Sequence, residues 1–255
     1  MQINGPKIGA LDFETTPIEA WTWGPKWEAN LLDIIRHSQI MSFTFKWVGG
    51  KQITKGWIDY KGYKPGKDME RVMLEEVVSL INQADILTGH NIKDFDIKVL
   101  NARLAFYNIK PPRPYKVVDT KTEAKKYLRL PSYSLDDICN YFGIARKMHH
   151  TGFPMWLGCM AGNKKDWKTM LAYNDKDGWI QEQVYLRIRP FMKTHPNFGM
   201  YKEGVVCPNC GSDKLNWEGW HRNKTTRYHS FSCKDCGAWG RDHNNVQEIK
   251  PMVAI

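Results

Sequence analysis

The alternation of apolar and polar positions predicts that the chain begins with β-structure. Residues 7–15 form an apolar run that ends in acidic residues. Residues 40–48 and 52–58 are rich in β-branched and aromatic side chains and are joined by Gly49-Gly50. Two such segments on either side of paired glycines are typical of a β-hairpin. The pattern therefore predicts three strands before the first helix.

Beyond residue 60 apolar positions recur close to the helical period, which indicates amphipathic helices. This spacing predicts long helices over residues 68–83, 91–107 and 166–188. The other predicted elements are strands at 84–88 and 115–119, a basic helix after residue 119 and a capped helix from Ser134 to Gly143. The poorly periodic segment with Trp21, Trp23 and Trp27 is interpreted as an excursion of the chain over the surface, and residues 145–165 are expected to be irregular.

This order of elements predicts an α/β fold. Strands followed by alternating helices and strands are typical of a mixed sheet flanked by helices. Pro190 and Pro196 follow the last long helix. We therefore expect a large domain over residues 1–195, a linker over residues 196–204 and a small β-rich domain over residues 205–255.

Composition narrows the class of protein. The 255 residues carry a formal net charge of +10, with a pI near 9.2, and a basic chain favours a polyanionic partner such as nucleic acid. No apolar run approaches the roughly 18 residues that a membrane span needs, and the first residues do not resemble a signal peptide. Four of the six cysteines fall in two Cys-x-x-Cys pairs. That usage is typical of metal binding in a reducing compartment, so we expect a cytoplasmic location.

Asp12 and Glu14 are the first candidate site residues. Side chains alternate faces along a strand, so both carboxylates project from one side while Phe13 points into the core. Two buried acids are usually compensated by a hard divalent cation such as Mg²⁺ or Mn²⁺. The alternative is a strand that simply runs out into solvent.

Two later segments supply further acids at the ends of elements. Asp94 and Asp96 follow the strand that ends near Thr88. We expect Asn91 to cap the next helix, with support from Asp94. Phe95 is expected to begin the face of that helix that packs into the core. As an alternative, both acids simply complement the dipole of that helix.

The second of these segments lies within the last helix. Tyr173 and Asp177 are four residues apart and therefore share one helical face. A phenol beside a carboxylate can orient a water molecule, although a half-buried tyrosine beside a surface acid would have the same spacing. Asp175 lies close to Asp177 but falls outside this pattern.

Together these motifs resemble the DEDD superfamily of 3′-to-5′ exonucleases, in the subclass whose third motif contains tyrosine. Asp12-Phe13-Glu14 matches the first motif, Asp-x-Glu. The segment from Asn91 to Asp96 matches the Asn-x-x-x-Phe-Asp motif of the proofreading domains of family B DNA polymerases. The segment from Tyr173 to Asp177 matches the third motif, Tyr-x-x-x-Asp. The similarity spans about residues 7–190.

The resemblance implies a ribonuclease-H-like fold and a two-metal mechanism. Asp12, Glu14, Asp96 and Asp177 would ligate two Mg²⁺ or Mn²⁺ ions, and Tyr173 would position the attacking water. One ion would activate that water and the other would stabilise the leaving 3′ oxygen, so that nucleoside 5′-monophosphates are released. DNA is the implied substrate, with a replication or repair protein as a further partner. The alternatives are an RNA-trimming exonuclease and a non-catalytic protein that binds DNA ends.

The C-terminal region contains two Cys-x-x-Cys knuckles. Cys207 and Cys210 form the first and Cys233 and Cys236 the second, and residues 211–232 separate them. Two tight turns that each present two thiolates give a closed tetrahedral site for one structural Zn²⁺. The pattern resembles a zinc ribbon.

Basic and aromatic residues alternate between the two knuckles. Such a hairpin can follow a nucleic-acid backbone with its cations and stack bases on its aromatic rings. Alternatively, the aromatic residues fill the small core of the ribbon itself. With the helix-capping candidate included, the predicted nucleic-acid contacts are Asn91, Trp220, Arg222, Lys224, Arg227 and Tyr228.

Overall fold

The computed structural model describes residues 5–24, 30–145, 148, 151–244 and 246. Within these residues the chain divides into two compact units, Lys7–Tyr185 and a second unit that begins at Leu186 and includes Gly5 and Pro6. No helix in the described part of the chain is both long enough and apolar enough to cross a membrane.

The first unit is built on a five-stranded mixed sheet. Its strands are β1 (Ile8–Thr15), β4 (Ile40–Trp47), β5 (Gln52–Gly56), β6 (Ile86–Gly89) and β7 (Lys116–Asp119). They lie in the order β5-β4-β1-β6-β7, so that β1 occupies the centre. The β5-β4-β1 half is antiparallel, and β1, β6 and β7 are parallel. The predicted mixed sheet and the predicted hairpin of β4 and β5 are confirmed.

Six α-helices accompany this sheet in the described part of the chain. They are α1 (Glu70–Ile81), α2 (Asp96–Phe106), α3 (Thr120–Tyr127), α4 (Leu135–Phe142), α5 (Phe153–Met160) and α6 (Lys164–Ile188). Apolar side chains from the central strands and the helices form one core, which includes Leu11, Phe43, Leu74, Leu87 and Trp167. The cap predicted for α4 is present, because the Ser134 hydroxyl accepts a hydrogen bond from the Asp137 amide and Gly143 ends the helix at φ 67°.

The segment interpreted as a surface excursion forms a separate two-stranded sheet of β2 (Glu19–Trp23) and β3 (Asn30–Arg36), which the sequence did not predict. Every residue of β3 is exposed, so neither face shows the period of two that marks a half-buried strand. Trp21 and Trp23 are exposed as expected, and Trp27 lies outside the described residues.

The segment over residues 145–165, which was expected to be irregular, contains α5. Pro154 lies in the first turn of this helix, where a missing backbone N–H costs nothing, and Met155 and Cys159 bury one face. The expectation of an irregular segment is therefore wrong for residues 153–160, whereas residues 146, 147, 149 and 150 lie outside the described residues.

The start of α2 also differs from its prediction. The helix begins at Asp96, five residues later than expected, and Asn91 has φ 67° in the preceding loop, so it does not cap the helix. Asp94 pairs with Lys98 instead of supporting a cap. The expected core face is wrong as well, because Phe95 is 42% exposed and Leu100 and Leu104 are buried in its place.

The second unit contains a three-stranded antiparallel sheet. Its strands are β8 (Leu215–Arg222), β9 (Arg227–Cys233) and β10 (Trp239–Arg241), in the order β10-β9-β8. Phe231 in β9 is buried, and Gly240 on the neighbouring strand has no space for a side chain because a Cβ atom would overlap the Phe231 ring. The predicted β-rich region is confirmed.

A buried ion pair joins α1 to α2 in the first unit. The Arg103 guanidinium donates from Nε and Nη2 to the Glu70 carboxylate at 2.9 and 2.6 Å, and Glu70 also accepts from the Ile40 amide at 2.7 Å. Glu70 is completely buried. Removing one partner would leave the other charge buried without compensation.

We expect Glu70→Ala to lower the free energy of unfolding by about 3 kcal/mol, because Arg103 would keep its charge in a buried site. Urea unfolding followed by circular dichroism measures the change. Glu75→Ala is the matched control, since Glu75 forms an exposed pair with Arg71 on the same helix and its loss should cost less than about 1 kcal/mol. Equal losses in the two variants would contradict the assigned role of the buried pair.

Candidate active site

The central strand β1 places two carboxylates on one face of the sheet. Asp12 and Glu14 are partly buried, and Phe13 between them is 4% exposed and belongs to the core. The structure thus has the alternation expected from the sequence. The antiparallel partner β4 places Thr44 opposite Asp12 and Ser42 opposite Glu14, so small polar residues flank the acids.

Helix α6 faces this strand with a polar stripe. Asn174, Asp177 and Gln181 recur at intervals of three and four residues and are each at most 1% exposed. The adjacent Gly178 permits the close approach, because a Cβ atom there would lie 2.7 Å from the Thr44 hydroxyl oxygen. A larger residue at this position would therefore push the helix away from the sheet.

Two side-chain amides of α6 hold the Asp12 carboxylate. Asn174 Nδ2 donates to Asp12 Oδ2 at 2.9 Å, and Gln181 Nε2 donates to Asp12 Oδ1 at 2.6 Å. Asn174 Oδ1 in turn accepts from the Ser42 hydroxyl at 3.2 Å. Hydrogen bonds to both oxygens fix the orientation of the carboxylate in a buried setting.

Three carboxylates converge between β1 and α6. Asp12, Glu14 and Asp177 each offer an oxygen, and these oxygens all lie within 4.8 Å of one another. Like charges this close repel strongly when water is largely excluded. A set of oxygen ligands suits a hard cation such as Mg²⁺ or Mn²⁺, whose charge would offset the repulsion.

Asp96 adds a fourth acid next to this cluster. It is 2% exposed, and its Oδ1 accepts from the Phe13 backbone amide at 3.0 Å, which ties the start of α2 to the middle of β1. Burial raises the pKa of Asp96 well above its usual value, and the nearby charge of Asp12 raises it further. A cation beside both groups would favour their charged forms.

The loop before α2 is fixed by a residue that sequence reasoning did not single out. Asp119 is fully buried at the end of β7 and accepts hydrogen bonds from the backbone amides of Asn91 and Lys93, at 3.2 and 3.0 Å. Its Oδ1 also accepts from the Lys121 and Thr122 amides and so caps α3. Asp119 therefore fixes the segment that leads to Asp96.

His90 supports the same loop from its other side. Its Nδ1 lies 3.0 Å from the Thr120 hydroxyl and its Nε2 lies 2.9 Å from the Tyr133 carbonyl oxygen. Because a carbonyl oxygen only accepts, Nε2 carries the proton. Asn91, predicted as a nucleic-acid contact, has its backbone bound to Asp119 and lies in this fixed loop.

Tyr173 and Asp175 have different surroundings on α6. Tyr173 lies one turn before Asp177 and is 9% exposed. The Asp175 carboxylate accepts from Thr54 Oγ1 at 2.7 Å and from Gln52 Nε2 at 2.8 Å, which ties the helix to β5. Asp175 therefore lies outside the acid cluster.

The four knuckle cysteines of the second unit also converge. The sulfur atoms of Cys207, Cys210, Cys233 and Cys236 all lie within 4.8 Å of one another. The first knuckle closes through the Gly211 amide, which donates to the Cys207 carbonyl, and the second closes in the same way through Gly237 and Cys233. Four sulfur ligands in two tight turns suit Zn²⁺ in a closed structural site.

The aromatic residues predicted to stack on bases already make contacts within the ribbon. The ring centroids of Trp220 and His229 are 4.1 Å apart, and the guanidinium carbon of Arg227 lies 4.4 Å from the centroid of the Trp220 ring. The Tyr228 ring lies 3.9 Å from the Arg241 guanidinium carbon. Arg222 and Lys224 are exposed near the end of the hairpin.

A family model of the RNase H superfamily matches residues 36–188, which cover most of the first unit. The matched region contains Asp96, Tyr173 and Asp177 and begins after Asp12 and Glu14. A search of the curated proteins found no match.

Sequence reasoning missed Asn174 and Gln181 as well as Asp119. The sequence signal that could have identified the two amides is the polar stripe of α6. Asn174 and Gln181 lie three and four residues from Asp177, so all three side chains share one face of the helix, and this face is buried. Asp119 directly precedes α3, so its local sequence indicates only a helix cap; its bonds to the Asn91 and Lys93 amides join distant parts of the chain and have no local signal.

We expect Asp177→Asn to weaken Mn²⁺ binding about tenfold or more, because the change removes one charged oxygen ligand and keeps the shape of the side chain. Titration calorimetry with manganese chloride measures the affinity. Asp175→Asn is the matched control on the same helix and should bind Mn²⁺ as the unmodified protein does. Equal affinities in all three proteins would refute the metal site.

We expect the paired change Cys207→Ser and Cys210→Ser to remove bound zinc, because two of the four sulfur ligands are lost. Elemental analysis of the purified protein gives the zinc content. Cys139→Ser is the control, since Cys139 is buried in α4 of the first unit. Unchanged zinc in the paired variant would rule out the four-cysteine site.

Proposed function

Because the chain belongs to the RNase H superfamily, whose members commonly act on nucleic acids as nucleases, we propose that it is a metal-dependent 3′-to-5′ exonuclease. The proposed substrate is a single-stranded or frayed 3′ end of DNA. The proposed reaction is hydrolysis of the terminal phosphodiester bond, with release of nucleoside 5′-monophosphates. The described residues contain both an acidic cluster and a cysteine cluster that could hold metal ions.

The observation that carries this proposal is the convergence of Asp12, Glu14 and Asp177 at the centre of the sheet. Asp96 lies against the same strand. When bound there, divalent cations would supply activation of a water molecule and charge stabilisation at the leaving oxygen. The protein's own part is to hold the carboxylates in place and to limit the access of bulk water.

Each residue has a proposed role. Asp12, Glu14, Asp96 and Asp177 would hold the cations, and Asn174 and Gln181 would keep the Asp12 carboxylate in its orientation. Tyr173, one turn from Asp177, would orient the attacking water through its hydroxyl. The order of these residues along the chain supports the 3′-to-5′ direction, because it follows the order of the motifs in proofreading exonucleases.

The ribbon has a supporting role in this proposal. One Zn²⁺ would hold its two knuckles together, and the exposed Arg222 and Lys224 would contact phosphates of the bound strand. Arg227 lies against Trp220, and its Nε donates to the Val246 carbonyl oxygen at 3.3 Å.

The test is a time course on 5′-labelled single-stranded DNA and RNA with Mg²⁺, Mn²⁺ or EDTA. We expect a metal-dependent ladder that shortens from the 3′ end of DNA. Asp12→Asn should slow it about a hundredfold or more, because that variant loses a charged ligand while Asn keeps the side chain's shape. Asp175→Asn should leave the rate close to that of the unmodified protein.

Other outcomes distinguish the alternatives. A ladder on RNA but not on DNA would replace the proposed substrate with RNA. Internal cleavage would contradict the exonuclease. Stable binding of DNA ends without degradation under every metal condition would favour the non-catalytic end-binding protein.

A further inference from the structure

The second unit contains a large open cavity that the proposed reaction does not use. Its volume is about 980 Å³. We call it the ribbon pocket. Its lining includes residues from the segment after α6, from the first knuckle and from all three strands of the ribbon sheet; those used below are Lys193, His195, Asn209, Glu218, Trp239 and Arg241.

One side chain in the wall of the ribbon pocket contains a buried polar atom without a partner. Asn209 is 6% exposed, and its Nδ2 donates to the Arg189 carbonyl oxygen at 2.7 Å. Its Oδ1 is buried and has no hydrogen-bond partner within the described part of the chain. Leaving such an acceptor without a donor is costly, so a small rotation of this side chain toward the pocket would be favourable where a ligand offers an N–H or O–H group.

An exposed aromatic surface lies in the same pocket. Trp239 is 65% exposed. Its strand neighbours place it with Arg241 on one face of the sheet, because residues two apart in a strand point the same way. An exposed indole offers a flat surface on which another planar group can stack.

The charges around the pocket favour an anion. Lys193 and Arg241 are exposed, and the Arg241 guanidinium is held over the Tyr228 ring. Glu218 is the opposing acid, and its Oε1 accepts from the Ser232 hydroxyl at 3.0 Å. Burial lowers the pKa of His195 to about 4, so this histidine is neutral at physiological pH and the three charged side chains leave a net positive charge.

We propose that the ribbon pocket binds a nucleotide, with the base stacked on Trp239, an amino or imino group of the base donating to Asn209 Oδ1, and the phosphate near Lys193 and Arg241. A planar ring with hydrogen-bond donors and an attached anion satisfies all three features at once. An acidic peptide would meet the two cations and would offer backbone N–H donors to Asn209, but its acidic side chains would leave the indole without a planar partner. The ligand is an unpaired nucleotide of a nucleic-acid strand or a free nucleoside monophosphate.

This inference extends the proposed function, but its test does not depend on hydrolysis. The full-length Asp12→Asn protein is titrated, without added Mg²⁺ or Mn²⁺, into fluorescein-labelled single strands of about ten nucleotides, and anisotropy gives the dissociation constant. Competition with unlabelled nucleoside monophosphates forms the second arm. Loss of catalysis in the cleavage assay therefore leaves this result unaffected.

Four further substitutions are compared in that background. Trp239→Ala should weaken binding about tenfold, because a stacking surface is lost. Asn209→Leu should weaken it about fivefold, because one hydrogen bond is lost. Arg222→Ala tests the hairpin end, and Lys234→Ala removes an exposed charge elsewhere on the ribbon. Lys234→Ala should bind as the parent does. Zinc content is measured for every variant so that a failure to fold is recognised.

The outcomes separate the possible ligands. A strand is supported as the ligand if Trp239→Ala and Asn209→Leu raise the dissociation constant for the labelled strand and unlabelled nucleoside monophosphates compete poorly. Strong competition that both substitutions abolish supports the free nucleotide. Unchanged affinity in both variants, with zinc retained, would overturn the proposal, and so would a loss confined to Arg222→Ala.

Discussion

The close approach of α6 to β1 is the constraint on which the first unit depends. It brings Asp177 within 4.8 Å of the carboxylate oxygens of Asp12 and Glu14, in a setting where such charges repel strongly. The approach requires Gly178, because the space between this residue and Thr44 on the neighbouring strand β4 is too narrow for a methyl group. The apolar residues Ile180 and Val184 of the same helix are fully buried, and their burial favours the packing that the acids oppose.

Hydrogen bonds offset part of this repulsion. Asp12 accepts from two amides, and Asp96 accepts from the Phe13 backbone. The buried carboxylate of Asp119 is stabilised in a different way, because it accepts hydrogen bonds from four backbone amides. Asp119 therefore has a structural role. The contrast between Asp119 and the converging acids explains why only the latter form a plausible cation site. A buried acid saturated by amides has little need of a metal.

The sequence predicted the parts of the fold that depend on local periodicity. β1, the β4–β5 hairpin, the cap of α4 and the long α6 follow from patterns within one segment. The β2–β3 hairpin escaped prediction because neither of its faces is buried, and the true start of α2 escaped because it depends on Asp119, 23 residues beyond Asp96 in the chain. The residues of the candidate site divide in the same way. The acids could be predicted because each lies in a short segment with a recognisable spacing. Asn174 and Gln181 could not, because their role depends on hydrogen bonds to Asp12, which is distant in the sequence.

The two candidate metal sites differ in ligand chemistry and in how much of the surrounding structure depends on the metal. Oxygen ligands in the first unit suit a hard cation, and sulfur ligands in the second suit zinc. The sulfur site also shapes the ribbon pocket, because Asn209 lies between Cys207 and Cys210 and Ala238 follows the second knuckle. Few apolar residues support this small core. Where zinc joins the four cysteines, its loss would therefore dismantle the pocket wall, while the acid cluster, which rests on the larger core of the first unit, would keep its structure.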